Sequence, residues 1–129
     1  MSGLLNGIRV LDFGRYIAGP YCATLLADLG ADVIRIEKPD GGEDRYTVPI
    51  SDQGEGAYYI QLGRNKRAMT LNPRSEQGQK IIQQLVATAD VVVANLPAQA
   101  LVKLGLDYAN LCKAKSDIIL TTGSAFGAV

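Results

Sequence analysis

The chain has 129 residues, of which 47% are hydrophobic and 20% charged, with 13 basic and 13 acidic side chains and no histidine. That length supports one compact domain with a self-sufficient core, and no second domain is expected within it. Balanced charge excludes a nucleic-acid partner held by bulk phosphate neutralisation. Without histidine, the chain alone can build no Ser-His-Asp or Cys-His relay and no histidine metal site, so no metal ligand is assigned.

Cys22 and Cys112 lack the paired spacing of a zinc or redox motif, which points to a reducing compartment. The opening MSGLLNGIRV carries no leader pattern, and the longest aliphatic run, Val91 to Ala94, is too short to cross a bilayer. A cytoplasmic protein with no membrane partner is expected.

In chain order, Ile8, Val10 and Leu11 form a short strand ending at Asp12, and a loop, Phe13 to Ala18, leads to Gly19-Pro20. Proline loses no hydrogen bond in a first helical turn, and Tyr21, Leu25, Leu26 and Leu29 then recur at helical spacing until Gly30 offers a stop. Asp32 to Glu37 reads as a second strand, completing a right-handed βαβ unit. From Lys38 to Gly56, prolines and glycines interrupt any period, and a long surface loop, functional or mobile, is expected. A short helix over Ala57 to Leu62 and a strand over Arg67 to Leu71 follow. Ser75 opens a helix with Ile81, Ile82, Leu85 and Val86 on its apolar face. Asp90 to Ala94 is a strand of the fully apolar kind found in parallel sheets. Two short helices, Ala98 to Leu104 and Tyr108 to Lys115, precede a last strand, Asp117 to Thr122.

This alternation predicts an α/β, Rossmann-like fold, a mostly parallel sheet with flanking helices, whose ligand lies at the carboxyl ends of the strands. The chain stops at Val129, soon after a strand and the turn Gly123 to Gly127, so an incomplete domain is expected. The apolar faces of Val91 to Val93 and Ile118 to Leu120 should then lack cover and promote self-association.

Several residues could carry chemistry. The loop Phe13 to Ala18 offers backbone N–H groups and one cation, Arg15, suited to a phosphate or thioester oxygen. Gly14 and Gly19 lack the middle glycine of a dinucleotide fingerprint, and Pro20 stands where a P-loop has lysine. Glu37 stands where a ribose-binding acid would lie, or is a solvated strand end. Arg64-Asn65-Lys66-Arg67 could clamp a polyanion, or is a solvated charge run. Cys22, in the first turn of a helix, reads as a small buried residue rather than a reactive thiol. Tyr58 and Tyr59 could stack on an adenine or anchor a loop.

The run GIRVLDFGRYIAGPYCATLLADLGADVIRIEKPDGGEDR, then GRNKRAMTLN, ADVVVANL and KLGLDYANL, resembles the N-terminal part of the class III CoA-transferases, the L-carnitine dehydratase and bile-acid-inducible protein F (CaiB/BaiF) family. The resemblance extends in order over essentially the whole chain. It implies residues 1–129 of a large CoA-binding domain from a longer protein that forms interlocked homo-oligomeric rings of two subunits. It also implies transfer of CoA from an acyl-CoA thioester to a carboxylic acid through covalent aspartyl intermediates. The family's nucleophilic aspartate lies downstream of the turn matching Gly123 to Gly127, so no catalytic residue is assigned here and these residues alone are expected to be inactive.

The resemblance implies CoA contacts as well. Tyr16, Ile17 and Ala18 match the loop at the thioester end. Lys38 matches a basic residue near the nucleotide, and Leu71 with Asn72 the segment beside the adenine. Asn95 and Leu96 match an Asn-aromatic pair at the pantetheine, and Lys103 a basic residue that meets phosphate. Here the family's Glu-Asn-aromatic-Arg-Pro-Gly is Ala94-Asn95-Leu96-Pro97-Ala98-Gln99. CoA or acyl-CoA is thus expected as substrate, with no permanently bound cofactor. An acyl-CoA racemase of the same family, and a nucleotide-binding or structural module without catalysis, are the alternatives.

Overall fold

The computed structural model describes residues 3–47 and 49–127. Val48, inside the expected long loop, and Val129, at the expected end of the domain, lie outside the described residues. The elements are β1 (Arg9–Asp12), α1 (Ala18–Asp28), β2 (Asp32–Glu37), a 3-10 turn (Glu43–Tyr46), α2 (Ala57–Leu62), β3 (Lys66–Thr70), α3 (Glu76–Val86), β4 (Val91–Ala94), α4 (Ala98–Leu104), α5 (Tyr108–Ala114) and β5 (Ile119–Thr122). All five strands run parallel in the order β3-β2-β1-β4-β5. The fold is the expected Rossmann-like α/β sheet.

Because side chains alternate across a strand, each strand of the centre feeds both faces of the sheet. Val10, Val33 and Val93 pack with Ala23 and Ala27 of α1 on one face. Leu11, Ile34, Ile36 and Val92 pack on the other with Ile82 and Val86 of α3, Leu101 of α4 and Leu111 of α5. Ser75 caps α3, its hydroxyl accepting from the Gly78 N–H at 3.0 Å. Gly30, at φ 101°, ends α1 in a backbone conformation that glycine adopts freely.

The helix α1 does not bury the stripe its periodicity suggests. Tyr21, Leu25 and Leu29 are 49%, 45% and 46% exposed, while Gly19, Pro20, Ala23, Thr24 and Ala27 face inward. Small side chains let the helix axis approach the sheet closely, and the hydroxyl of Thr24 is 2.7 Å from the carbonyl oxygens of both Pro20 and Leu62. The expected uncovered faces are found only in part. Val92, Val93 and Ile118 are buried, because β4 has a strand on each side and helices over both faces. Only the outer strand β5 leaves a large apolar side chain open, with Ile119 58% exposed.

The segment after Lys38 is no loose loop either. Arg35 and Asp44 are fully buried and paired at 2.6 Å, and Glu37 takes Arg45 at 2.7 Å and the Gly42 N–H at 3.0 Å. Tyr59 completes the lock, its hydroxyl accepting from Arg45 at 2.7 Å and its ring lying 3.8 Å from that guanidinium. Glu37 is therefore neither a ribose ligand nor a solvated strand end. It is the carboxylate that ties residues 42–45 to the sheet.

Burial, the largest single influence on the Glu37 carboxyl, would raise its pKa. Hydrogen bonds from Arg45 and the Gly42 N–H, with the nearby Arg35 charge, outweigh it and hold the carboxyl below its ordinary value. A carboxyl depressed in the folded state stabilises fully above the unfolded value and loses that contribution as pH falls through the folded one. The stability difference between wild type and Glu37→Gln should thus be largest above pH 4.5 and shrink as pH falls below it. Urea denaturation across this range checks it, and a gap independent of pH would exclude an ionised Glu37 at the lock.

Candidate functional site

In a parallel sheet of this order, the connections leaving β1 and β4 turn to opposite faces and open a crevice between them at the carboxyl edge. The loop Phe13 to Ile17 and Asn95 form its two lips. Three ties fix the first lip. The Phe13 N–H donates to the Val93 carbonyl at 2.9 Å, and the Gly14 N–H donates to Asp12 Oδ1 at 2.8 Å. Asn95 grips Arg15 from both ends, Oδ1 accepting the Arg15 N–H at 2.6 Å and Nδ2 donating to the Arg15 carbonyl at 2.8 Å.

Beneath the loop, Asp12 Oδ2 pairs with Lys66 Nζ at 2.8 Å, with side chains 0% and 1% exposed. Lys66 also donates to the Pro20 carbonyl at 2.7 Å, so one buried ion pair joins β1, the loop and the first turn of α1. Burial is the largest influence on the Lys66 ammonium and pulls its pKa below the usual lysine value despite the opposing charge of Asp12.

Beyond these ties the loop is open. Tyr16 sits at φ 57°, a left-handed conformation that costs a bulky residue about 1–3 kcal/mol. Among the described residues, no hydrogen bond engages the Tyr16 or Ile17 N–H, and Ile17 caps α1 without a side-chain bond. The N–H groups of Gly14 and Arg15, expected to be free, are taken. Those of Tyr16 and Ile17 remain available, where the helix dipole favours an anionic or polarised oxygen.

Next to the loop, a groove of about 670 Å³ is bordered by Arg15, Lys38, Arg74 and Lys103, with Glu43 as the one carboxylate of its wall. Asn72, Gln79 and Leu96 supply polar and apolar wall. Arg15 turns inward, donating to the Gly14 carbonyl at 2.9 Å, and Lys38 pairs with Glu43 at 2.7 Å. That hydrogen bond raises the Lys38 pKa and lowers that of Glu43. Among the described residues Arg74 and Lys103 have no ion-pair partner. Their charge is open to a ligand.

The sequence-derived residues fall into two neighbouring groups. Lys38, Asn72, Leu96 and Lys103 share the groove, while Ala18 and Asn95 border a smaller cavity of about 70 Å³ with Cys22, Val93, Ala94 and Thr121. Tyr16 and Ile17 are exposed at the lip, and Leu71 is buried in the core, where its N–H donates to the Glu37 carbonyl at 2.8 Å. Arg74 and Gln79 went unread in the sequence, for an arginine in a turn and a glutamine on a helix carry no local pattern.

The run Arg64 to Arg67 is the solvated alternative at Arg64, Asn65 and Arg67, which are exposed, and departs from it at Lys66, whose side chain is buried. Arg64 and Asn65 both bind Asp28, at 2.6 and 2.8 Å, Arg67 binds Asp32 at 2.7 Å, and Lys66 is the buried partner of Asp12. Arg64 and Arg67 stand at the start of β3, at the edge opposite the strands' carboxyl ends, while the Lys66 ammonium reaches back to Asp12. Tyr59 anchors residues 42–45 through Arg45, and Cys22 is half-buried.

A parallel sheet in this order, with a cation-lined groove at its carboxyl edge, has the form used to hold nucleotide-containing ligands. Comparison with known sequences narrows this: residues 5–129 match the profile of CoA-transferase family III, and the chain belongs to that family. It is 38% identical over 130 residues to the succinate–glutarate CoA-transferase of Agrobacterium fabrum, which spans 95% of this chain and 32% of that one. It is 35% identical to the cinnamoyl-CoA:phenyllactate CoA-transferase of Clostridium sporogenes, over 98% of this chain and 32% of that one. Among solved structures it is similar to a CaiB/BaiF family protein from Brucella suis, with a TM-score of 0.87 and 37% identity over 95% of this chain and 33% of that one. The chain thus spans about a third of the length of the relatives it matches. No helix among the described residues is long and apolar enough to cross a membrane.

Proposed function

We propose that these residues form the CoA-binding half of the active site of a family III CoA-transferase, which moves CoA from an acyl-CoA thioester to a carboxylic acid. The observation that carries this reading is the cation-walled groove leading to a rigid loop with open amides. Phosphates are recognised by clustered cations, and a thioester oxygen by N–H groups at a helix start. In this reading Lys38, Asn72 and Lys103 hold the nucleotide end, with Leu71 fixing Asn72 from the core. Leu96 flanks the pantetheine with the backbone of Asn95 beside it, and Tyr16, Ile17 and Ala18 meet the thioester. A carboxylate nucleophile from outside these residues attacks the thioester carbonyl to give a mixed anhydride and CoA thiolate. The thiolate attacks the aspartyl carbonyl, releasing the donor acid and leaving an aspartyl-CoA thioester, and the acceptor carboxylate takes the CoA by the same two exchanges in reverse. Homo-oligomeric assembly belongs to the same reading, supported by the exposed Tyr21, Leu25 and Leu29 of α1.

Calorimetric titration of the full-length protein tests it. Saturable binding of CoA and silence toward NAD are expected, and the reverse would overturn it. Ala18 is exposed at the start of α1, so Ala18→Leu should leave the thermal melt unchanged while raising the Kd for CoA at least about tenfold by filling the approach to the helix start. Equal affinity would remove the thioester from this loop.

A further inference from the structure

The two ends of the Asn95 carboxamide are both consumed within the protein. Oδ1 accepts the Arg15 N–H and Nδ2 donates to the Arg15 carbonyl, a pairing that itself fixes which end of the amide is which. The carboxamide also fills its site closely, since a Cβ on Gly19 would lie 2.5 Å from Asn95 Oδ1. The carbonyl it holds belongs to the peptide joining Arg15 to Tyr16, and the orientation of that peptide sets φ of Tyr16, here 57°. A tyrosine does not hold a left-handed conformation unaided.

We infer that Asn95 is a positioning residue, which reaches from the end of β4 to hold Tyr16 in its left-handed conformation and so aims the open amides of the loop. This rests on the proposed placement of the thioester at that loop. Asn95 then acts on CoA through the backbone of residues 15–17 and makes no side-chain contact of its own with the ligand. No other side chain among the described residues bonds the Arg15 N–H or carbonyl.

The test uses Asn95→Ala, Tyr16→Gly and the double variant in the full-length protein, with two readouts. Hydrogen exchange without ligand should rise about tenfold at the bonded Gly14 and Arg15 amides in Asn95→Ala and remain unchanged in β4, since losing one tie opens that loop alone. CoA affinity should fall about tenfold in Asn95→Ala but less than about threefold when the same change is made on Tyr16→Gly, because glycine takes this φ without being held. Additive losses would mean that Asn95 touches CoA directly, and would overturn the inference, as would unchanged exchange of the loop. If Asn95→Ala does not fold, recovery of folding in the double variant supports the inference and continued failure overturns it. Should the wild type not bind CoA at all, the proposed function fails, while the ligand-free exchange still decides whether Asn95 holds the loop.

Discussion

Asp12→Ala is expected to lower the free energy of unfolding by about 3–5 kcal/mol, the cost of leaving one member of a buried ion pair without its partner. Lys66 Nζ would keep the Pro20 carbonyl but face an empty site, and the Gly14 N–H would lose its side-chain acceptor. Urea denaturation gives the number. Pairing the change with Lys66→Met should recover most of the loss, because no buried charge is then left uncompensated. A loss under about 1 kcal/mol in Asp12→Ala would place the pair among solvent-screened surface bridges. Since the pair also anchors the first turn of α1, the recovered double variant should keep its fold yet bind CoA more weakly.

Arg35→Met carries a comparable expected cost of about 3–5 kcal/mol, because Asp44 and Glu37 would be left buried with less opposing charge. The existing arrangement is already under-satisfied: among the described residues, Arg35 Nε and Nη1 and Asp44 Oδ1 are buried without hydrogen-bond partners. Its loss should act locally first. Trypsin is expected to cut after Arg45 far faster in the variant, while cleavage after Lys80 of α3 and Lys113 of α5 follows global unfolding. Cleavage at equal rates would show that residues 42–45 are held by something other than Arg35.

The secondary structure was largely legible, because β-branched runs, a capping serine and helix-ending glycines are local signals. β3 and β5 differ from expectation by one or two residues at their ends, where pairing with a neighbour decides which residue joins the ladder. Which face of α1 turns inward was not legible. A stripe of leucines predicts burial only when the helix sits at an ordinary distance, and here Ala23, Thr24 and Ala27 allow a closer one.

The long-range ties were also hidden, for the ion pair of Asp12 and Lys66 spans 54 residues and the hydrogen bonds of Asn95 to the Arg15 backbone span 80. One local hint existed. Arg35 sits inside the apolar strand Asp32–Glu37, and an arginine there must find acids or stay costly. The groove residues Lys38, Asn72, Leu96 and Lys103 came from the resemblance alone, since composition and spacing say nothing of how the ends of β2, β3 and β4 converge.

The parallel order of the strands also sets a sequence of events. The unit β1-α1-β2 can form from contiguous chain, but β4 must insert beside β1 on its other edge, pairing Val10 with Val91. Contacts of such separation come late, once the entropy of closing the intervening chain has been met. The loop after β1 is therefore made early and left unfinished. Only when residues 91–95 arrive does Val93 accept the Phe13 N–H and Asn95 close on Arg15. A nascent or partly folded chain, however complete its first βαβ unit, has no formed lip to offer a ligand, so maturation of the binding crevice coincides with closure of the sheet.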